Sequence, residues 1–327
     1  MLTDGFLNPA FEKDVLDVLY KSLESSVHEI SNEPQSCLSY NINEFLYKNH
    51  PYDVKVFVVP DSLENITKEN MEALHERIIS PENIIVAASG NIDSKKLIKK
   101  LNKTLGKLSK KTEQKLSESE TSAAEISPVV ISDFSDVMIE NSSTKGTGFA
   151  MRVFSTPSQT DKDFLAFSIA MDMYSDVLFN VVREHYGACY SVSASFIGSK
   201  SSYGGEYVYQ ISDLKNFRKY ADEALSYMKN GMLVDFFDEK GNAKLIPVKD
   251  RLLSYKNKYI ASSYESAQSS HSEAFRLWYN ILQFNDIERD EKLFSELYLL
   301  TSDDVVSAFN RYMNPDRGKW FVVYGEK

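Results

Sequence analysis

The spacing of apolar and polar residues along the chain predicts a mixture of helices and strands. Apolar positions at helical spacing predict helices over 8–30, 34–48, 68–77, 93–105, 161–185, 213–230, 248–262, 264–284 and 301–313, the first capped by Asn8 ahead of Pro9. Alternating or continuous apolar runs predict strands over 83–89, 137–141, 149–155, 188–198, 204–211 and 319–324. Paired strands with a helical layer indicate an α+β fold with a mixed, largely antiparallel sheet.

One pattern of residues occurs twice in the same register. Thr67, Arg77 and Pro81 form the first occurrence. The same residue types recur 234 positions later as Thr301, Arg311 and Pro315. In both places the threonine can cap a helix, the proline ends it, and an apolar strand follows. The repeat predicts an internal duplication, with coincidence as the alternative. Because the second copy begins near 136, this offset places the start of the first copy before residue 1. The first copy is therefore predicted to be truncated at its N-terminus.

A polar segment separates the two predicted copies. Residues 107–127 consist mainly of Lys, Glu, Ser and Thr, a composition that cannot bury enough apolar surface to fold and that predicts a flexible linker. The predicted organisation has three parts. Residues 1–106 are the C-terminal part of a first domain, 107–127 are the linker, and 128–327 are a complete second domain.

Composition and charge narrow the possible functions. The hydrophobic content of 43% is that of a soluble globular protein, and the formal charge of −10 argues against nucleic acid or anionic membranes as partners. We expect no membrane span, because no apolar run approaches about 20 residues. The first residues contain no signal peptide pattern, and the cellular location stays open. Cys37 and Cys189 have no metal-ligand spacing and are expected to be free, buried thiols.

Motifs of known catalytic centres are missing from the sequence. The five histidines never form His-x-x-Glu-His or the reverse order, so the helix-borne zinc site of those peptidases is absent. Isolated histidines are more often surface or core groups than metal ligands. No Gly-rich phosphate loop is present, and the doublet Gly204-Gly205 is interpreted as a bend between strands.

A predicted turn between helix and strand carries the candidate site. Gly187 fits the position just after the helix that begins at 161, with Arg183 in its last turn and Tyr190 at the start of the next strand. The guanidinium and the phenol can both donate hydrogen bonds to a peptide carbonyl group. The alternative is structural: an arginine that stabilises a helix C-terminus and a half-buried tyrosine.

The residues around this turn resemble a known family. The stretch 178–192 contains Leu-Phe-x-x-Val-Arg-Glu-x-x-Gly-x-x-Tyr-Ser-Val, which is similar to the second-domain signature of the pitrilysin/insulinase family of zinc metallopeptidases. The segments 48–52, with His-Pro-Tyr, and 66–93 resemble the same family in the same order, although Asn91 stands where Asp is usual. The resemblance covers nearly the whole chain outside the linker.

The resemblance implies a fold and a division of labour. Family members form a clamshell of four homologous α/β-roll domains, in one chain or two. Zinc is bound in the first domain by His-x-x-Glu-His and a later Glu. The facing half contributes an Arg and a Tyr that hold the substrate backbone, which correspond here to Arg183 and Tyr190. Glu24 and Glu29 are the available glutamates in the helix 8–30, but neither can be aligned with the later zinc ligand of the family. No residue of this chain is therefore assigned to a metal.

The sequence therefore predicts the non-catalytic, substrate-binding half, or a fragment, of such a peptidase. It has no catalytic residue or cofactor of its own and is expected to be inactive alone. Its partners are a peptide substrate and the catalytic half that holds the zinc, in the same chain or a separate subunit. One alternative is a non-peptidase structural or assembly subunit of the same fold. Another is a short zinc peptidase with scattered ligands such as His28 and Glu29, which is disfavoured because zinc needs three or four convergent ligands.

Overall fold

The structure is a computed structural model that describes residues 2–53, 65–108 and 127–325. The helices are α1 Leu2–Leu7, α2 Lys13–Asn32, α3 Pro34–Leu46, α4 Lys68–Ile78, α5 Ser94–Thr104, α6 Phe164–Leu178, α7 Phe217–Lys229, α8 Val248–Ser266, α9 Ser270–Phe284, α10 Arg289–Leu299 and α11 Ser302–Tyr312. The strands are β1 Val137–Glu140, β2 Gly148–Ser155, β3 Cys189–Phe196, β4 Tyr203–Ile211, β5 Met232–Phe237, β6 Ala243–Pro247 and β7 Lys319–Tyr324. The α+β class is confirmed.

The chain divides into two compact units. Unit 1 comprises 1–29, 54–125 and 266–285, and unit 2 comprises 30–53, 126–265 and 286–327. The predicted boundaries follow the sequence order, whereas both units combine distant segments. Residues 109–126, most of the predicted linker, lie outside the described residues. The division of the sequence into two copies stays a prediction.

Unit 2 is built on a five-stranded sheet. The strand order is β1-β7-β2-β4-β3, and a separate hairpin pairs β5 with β6. The first pair, β1 and β7, runs parallel, while the other neighbours in the sheet are antiparallel. The strands β1 and β2 follow each other along the chain but are separated in the sheet by β7. Long helices pack on one face of the sheet and form the main core with it, and α6 runs through this core.

The helix α6 is the most deeply buried element of unit 2. Its residues Phe167, Ile169 and Met173 are inaccessible to solvent and pack in the main core. With the turn that follows, Phe164–His185 is long and apolar enough to cross a membrane by length and composition, which the sequence analysis did not expect. Since 67% of its most apolar window is buried inside the protein, it has the character of a core helix.

The other face of the same sheet is covered by α3. Its apolar stripe of Cys37, Leu38 and Ile42 packs in a second cluster with Phe321 and Val323 of β7, which lies between β1 and β2. Glu33 caps the helix by accepting hydrogen bonds from the N–H groups at 35 and 36, and proline occupies its first turn. The sequence predicted this helix, over 34–48. It assigned the helix to the first domain, however, whereas the structure places it within unit 2.

One ion pair lies inside unit 2. Arg152 of β2 and Glu206 of β4 are cross-strand neighbours, and their side chains are 2% and 0% exposed. The guanidinium donates two hydrogen bonds of 2.8 Å to this carboxylate, and Tyr174 donates a third of 2.5 Å. Arg152 also reaches the half-exposed Asp222 of α7. Burial raises the pKa of the Glu206 carboxyl, and the adjacent guanidinium opposes that rise.

Two glycines in β4 allow its neighbours to approach closely. A Cβ atom on Gly205 would collide with the carbonyl oxygen of Arg152, and one on Gly204 would collide with the Cβ atom of Phe196. Both glycines lie within a continuous strand. The prediction of a bend at this doublet was therefore wrong, because here glycine serves close packing between strands.

Unit 1 contains helices with little core. Among its described residues only Ile79, Ser80 and Asn280 are buried. Several of its large apolar side chains are exposed instead: Val15, Val18, Leu74, Ile85, Val86, Ile98 and Phe275. Thr67 caps α4, as predicted, and Asp93 caps α5. The apolar faces of these helices thus have few partners within the described part of the unit.

Two predictions about unit 1 were wrong. The segment 83–89 begins in a 3-10 turn, Pro81–Asn83, and pairs with no strand in the part of the chain that the structure describes. Asn8 lies after α1 rather than at the cap of a long helix, and α2 begins only at Lys13. The repeated register holds for α4 and α11, which share length and threonine caps, but not for the strand. The duplication remains a prediction.

We expect the two units to differ in local stability. Amides of α4 and α5 should exchange with deuterium at least about 100-fold faster than those of α6 and β2, because local opening costs little where few side chains are buried. Exchange followed by mass spectrometry on the full chain measures this difference. Equal protection in the four elements would contradict the sparse burial of unit 1.

Candidate functional site

A helix, a turn and a strand bring Arg183 and Tyr190 together. Beyond α6 the chain forms a π-helical segment, Phe179–His185, hereafter the π segment. Gly187 follows with φ of +58°, a left-handed conformation that glycine adopts without strain, and β3 starts shortly after it. The Cζ atom of Arg183 lies 5.5 Å from the ring centroid of Tyr190. The two side chains thus share one edge of unit 2.

The guanidinium of Arg183 lies close to two aromatic rings. Its Cζ atom is 4.9 Å from the ring centroid of Phe179, in addition to the contact with Tyr190. Such cation–π contacts hold a guanidinium without using its hydrogen-bond donors. Its ion pair with the adjacent Glu184 is long at 3.7 Å, and both side chains are substantially exposed. Arg183 therefore has donors available for a ligand.

Tyr190 lies on the outer strand of the sheet. Its side chain is 68% exposed, and among the described strands β3 has β4 as its only neighbour in the sheet. Opposite it, Gln210 has φ of +52°, and the register between β2 and β4 shifts at this point. Such irregularities locally change the direction of side chains and are common beside functional sites. Farther along the outer edge, the N–H group of Ala194 donates to Ser175 Oγ at 3.2 Å.

Four aromatic rings surround the turn that carries these residues. His185 stacks on Phe237 of β5, with centroids 3.8 Å apart and planes at 10°. Tyr186 stacks on Tyr220 of α7, with centroids 3.7 Å apart and planes at 9°. His185 and Tyr186 contact each other edge to face at 4.4 Å. We call Phe237, His185, Tyr186 and Tyr220 the aromatic ladder.

A cavity of about 350 Å³ opens beside the π segment. Phe179 and Asn180 line it together with residues of β5 and α8. Its charged residues are largely engaged within the protein. The hydroxyl group of Tyr255 donates to Asp176 at 2.5 Å, and Arg251 forms an ion pair with Asp235 at 3.5 Å. The cavity offers space for a side chain next to the ring on which Arg183 rests.

His50 and His75 form local hydrogen bonds with neighbouring backbone groups. His50 accepts a hydrogen bond from the Tyr52 N–H at its Nδ1 atom, so its Nε2 atom carries the proton and donates to the carbonyl of Ser127 at 3.1 Å. His75 Nε2 contacts the carbonyl of Phe6 at 2.8 Å. In the residues that the structure describes, no group of three His, Cys, Asp or Glu side chains fits a metal ion. The side chains of residues 28 and 29 lie outside the described residues.

Both cysteines are free and buried, as predicted. Burial raises the pKa of Cys189, which precedes Tyr190, to about 11. Burial likewise raises the pKa of Cys37. A thiol with a raised pKa is a poor nucleophile at neutral pH. Neither cysteine is therefore a candidate for covalent chemistry.

The comparison with known families decides which family the chain represents. A family model described as the peptidase M16 inactive domain matches residues 65–231, just over half of the chain, including Arg183 and Tyr190. The chain belongs to the M16 peptidase family. The resemblance found in the sequence is thereby confirmed, including its assignment to the non-catalytic portion. No curated protein sequence matches the chain significantly.

Solved structures similar to this M16 chain agree with its fold. A peptidase M16 inactive domain from Pseudomonas fluorescens is 17% identical with a TM-score of 0.75. The match covers 98% of this chain and 72% of the Pseudomonas chain. A protease from Helicobacter pylori is 15% identical with a TM-score of 0.77, covering 96% and 73%. The ferredoxin protease FusC, solved in complex with Arabidopsis ferredoxin, is 11% identical with a TM-score of 0.65, covering 99% and 35%. At these identities the likeness concerns the fold alone.

The sequence found Arg183 and Tyr190 but missed the aromatic ladder. His185 was treated as one of several isolated histidines, and Phe237 lies in a hairpin that the sequence analysis did not predict. The adjacent pair His185-Tyr186 next to Arg183 was the available signal, because two large rings in an exposed turn need partners to pack against.

Proposed function

We propose that this chain is the non-catalytic, substrate-binding portion of an M16-type zinc metallopeptidase. Arg183 and Tyr190 bind the backbone of a peptide substrate, and the zinc site that hydrolyses it is held in a catalytic half elsewhere. That half belongs to the same longer chain or to a second subunit. The proposal rests on one observation above all: an exposed guanidinium and an exposed phenol converge at the beginning of β3, the outer strand of the described sheet.

The chemistry of the two side chains suits peptide carbonyl groups. Arg183 carries five N–H donors and no acceptor, and the Tyr190 hydroxyl group can donate as well as accept. Two donors on one edge can bind carbonyl oxygens of an extended chain without selecting its side chains. The cavity beside Phe179 has space for one substrate side chain next to that backbone contact.

The family supports a protein or peptide as the partner. One similar structure is a protease in complex with a protein, ferredoxin. The described part of this chain holds no metal-binding cluster, so no step of hydrolysis is assigned to its residues. Their role is to bind and orient a substrate, which lowers the entropic cost of reaction at a catalytic centre.

Removing either donor is expected to weaken peptide binding. Arg183→Ala should raise the Kd by about tenfold and Tyr190→Phe by about threefold, because charged hydrogen bonds contribute more than neutral ones. Fluorescence anisotropy of the full chain with short, unstructured, fluorophore-labelled peptides of mixed sequence measures both values.

Two matched variants control this experiment. Arg317→Ala removes another exposed arginine of unit 2, and Tyr298→Phe removes the hydroxyl group of a side chain that is 85% exposed. Both should leave the Kd unchanged. If the unaltered chain binds none of the peptides, or all four variants bind equally, the proposed peptide-binding role of Arg183 and Tyr190 is wrong. The non-peptidase structural subunit would then be the better description.

A further inference from the structure

We propose that the aromatic ladder positions Arg183 and Tyr190 for peptide binding, with His185 and Phe237 as its principal positioning residues. The inference rests on the proposed peptide-binding role and extends it to residues that do not touch the substrate. The ladder fixes the turn between the π segment and β3 from two sides.

The rings are anchored in two different elements of unit 2. Phe237 belongs to the β5–β6 hairpin and Tyr220 to α7, so the ladder joins two separate elements to the turn. His185 ends the π segment two positions after Arg183, and Tyr186 follows it directly. A shift of these two rings would move the backbone that carries the guanidinium.

Backbone hydrogen bonds and the two aromatic stacks together hold the turn. Gly187 has open space around it, since a Cβ atom there would meet no atom within 4 Å. Glycine is also the residue with the greatest backbone freedom. Hydrogen bonds hold the backbone, among them one of 3.0 Å from the Gly187 N–H to the Arg183 carbonyl and one of 3.2 Å from Ser212 Oγ to the Gly187 carbonyl. The two large side chains of the turn, His185 and Tyr186, pack in the two stacks.

Hydrogen bonds fix the end of the ladder that lies on α7. The Tyr186 hydroxyl group donates to Glu223 at 2.7 Å, and Tyr227 donates to the same carboxylate at 3.2 Å. Burial and the bond to this carboxylate raise the pKa of Tyr186 to about 12. The hydroxyl group therefore stays protonated and remains a donor at physiological pH.

At the other end of the ladder, Phe237 is followed directly by the turn of the β5–β6 hairpin, which hydrogen bonds stabilise. Asp238 Oδ1 accepts from the N–H groups of Lys240 at 2.9 Å and Asn242 at 2.8 Å. The side chain of Asn180, in the π segment, donates to the carbonyl of Val234 at 2.7 Å. The hairpin and the π segment are thus connected by a hydrogen bond as well as by the stack.

The test compares peptide affinity in variants of the ladder, using the full chain and the same labelled peptides of mixed sequence. His185→Ala and Phe237→Leu should each raise the Kd by about 3- to 10-fold, the range expected when a stacked aromatic pair is lost. His185→Phe keeps a flat ring on Phe237 and should bind within about twofold of the unaltered chain. Phe236→Leu is the matched control, because its ring is 53% exposed and lies outside the ladder.

A local measurement separates positioning from general loss of structure. In His185→Ala and Phe237→Leu, deuterium exchange should rise for the amides of 184–190 while those of α6 and β4 keep their protection. If affinity is unchanged in both variants although Arg183→Ala still weakens binding, the positioning role is overturned and the proposed function stands. Failure of His185→Phe to restore affinity, or an equal loss in Phe236→Leu, would also overturn it. If Arg183→Ala itself has no effect, the proposed function fails first.

Discussion

Replacing Glu206 with alanine is expected to lower the free energy of unfolding by about 3–5 kcal/mol, because one partner of a buried ion pair would be left without the other. The Arg152 guanidinium would lose both of its 2.8 Å hydrogen bonds to the carboxylate. Tyr174 would lose its acceptor as well, at a site where the side chains are almost fully removed from solvent. Chemical denaturation followed by circular dichroism measures the change.

Two further variants test this explanation of the Glu206 effect. Asp222→Ala removes the 53% exposed carboxylate on the same guanidinium and should cost at most about 1 kcal/mol, since exposed pairs contribute little. The double variant R152M/E206L should be more stable than Glu206→Ala alone, because no charge remains buried without a partner. A loss below about 1 kcal/mol in Glu206→Ala would contradict the burial of this pair.

Replacing Gly205 with alanine is expected to destabilise the protein by about 3 kcal/mol or more, at the upper end of overpacking effects. The new methyl group would collide with backbone of the neighbouring strand, at the carbonyl oxygen of Arg152, rather than with a side chain that can rotate away. Since Gly205 pairs with both β2 and β3, the strands can separate only by breaking ladder hydrogen bonds. Thermal and chemical unfolding of the full chain would quantify the loss.

Gly187→Ala is the comparison for Gly205→Ala, because at Gly187 an added methyl group would strain the backbone conformation without causing a collision. At Gly187 the added methyl group has open space, and the cost comes only from φ of +58°. We expect about 1 kcal/mol there, the usual cost of a left-handed residue with a Cβ atom. Equal effects of the two substitutions would show that close packing is not the reason for glycine at 205.

Local signals in the sequence predicted many elements well. The threonine and aspartate caps at 67, 93 and 301 accept the backbone hydrogen bonds expected of them. The final strand, Lys319–Tyr324, has the predicted bounds. These features depend on a few neighbouring residues, which is why sequence alone was enough.

Features that depend on distant partners were harder to predict. The apolar segment 83–89 has the composition of a strand, but among the described residues no strand pairs with it. In contrast β7, with a similar pattern, has β1 and β2 on its two sides. The helix α10 and the β5–β6 hairpin were missed, and so was the burial of Arg152 and Glu206. Nothing local distinguishes these two charged residues from solvent-exposed ones.

In the candidate site, too, the features that depend on neighbouring residues were predicted and those that depend on distant residues were not. Arg183 and Tyr190 were found because a short motif and a turn place them together along the chain. The rings that contact the turn from β5 and α7 lie more than 30 positions away in sequence. Their role could be recognised only after the fold had placed them beside His185 and Tyr186.

The π segment has a consequence for how this site can evolve. A π turn contains one residue more than an α turn, shown here by the 3.2 Å bond from the Tyr186 N–H to the Val181 carbonyl. Deleting a single residue before Arg183 would restore α-helical bonding and rotate the residues after the deletion by about 100° relative to α6. The guanidinium would then point away from Tyr190. We therefore expect a one-residue deletion here to disturb the site more than a substitution at an exposed position of the same segment.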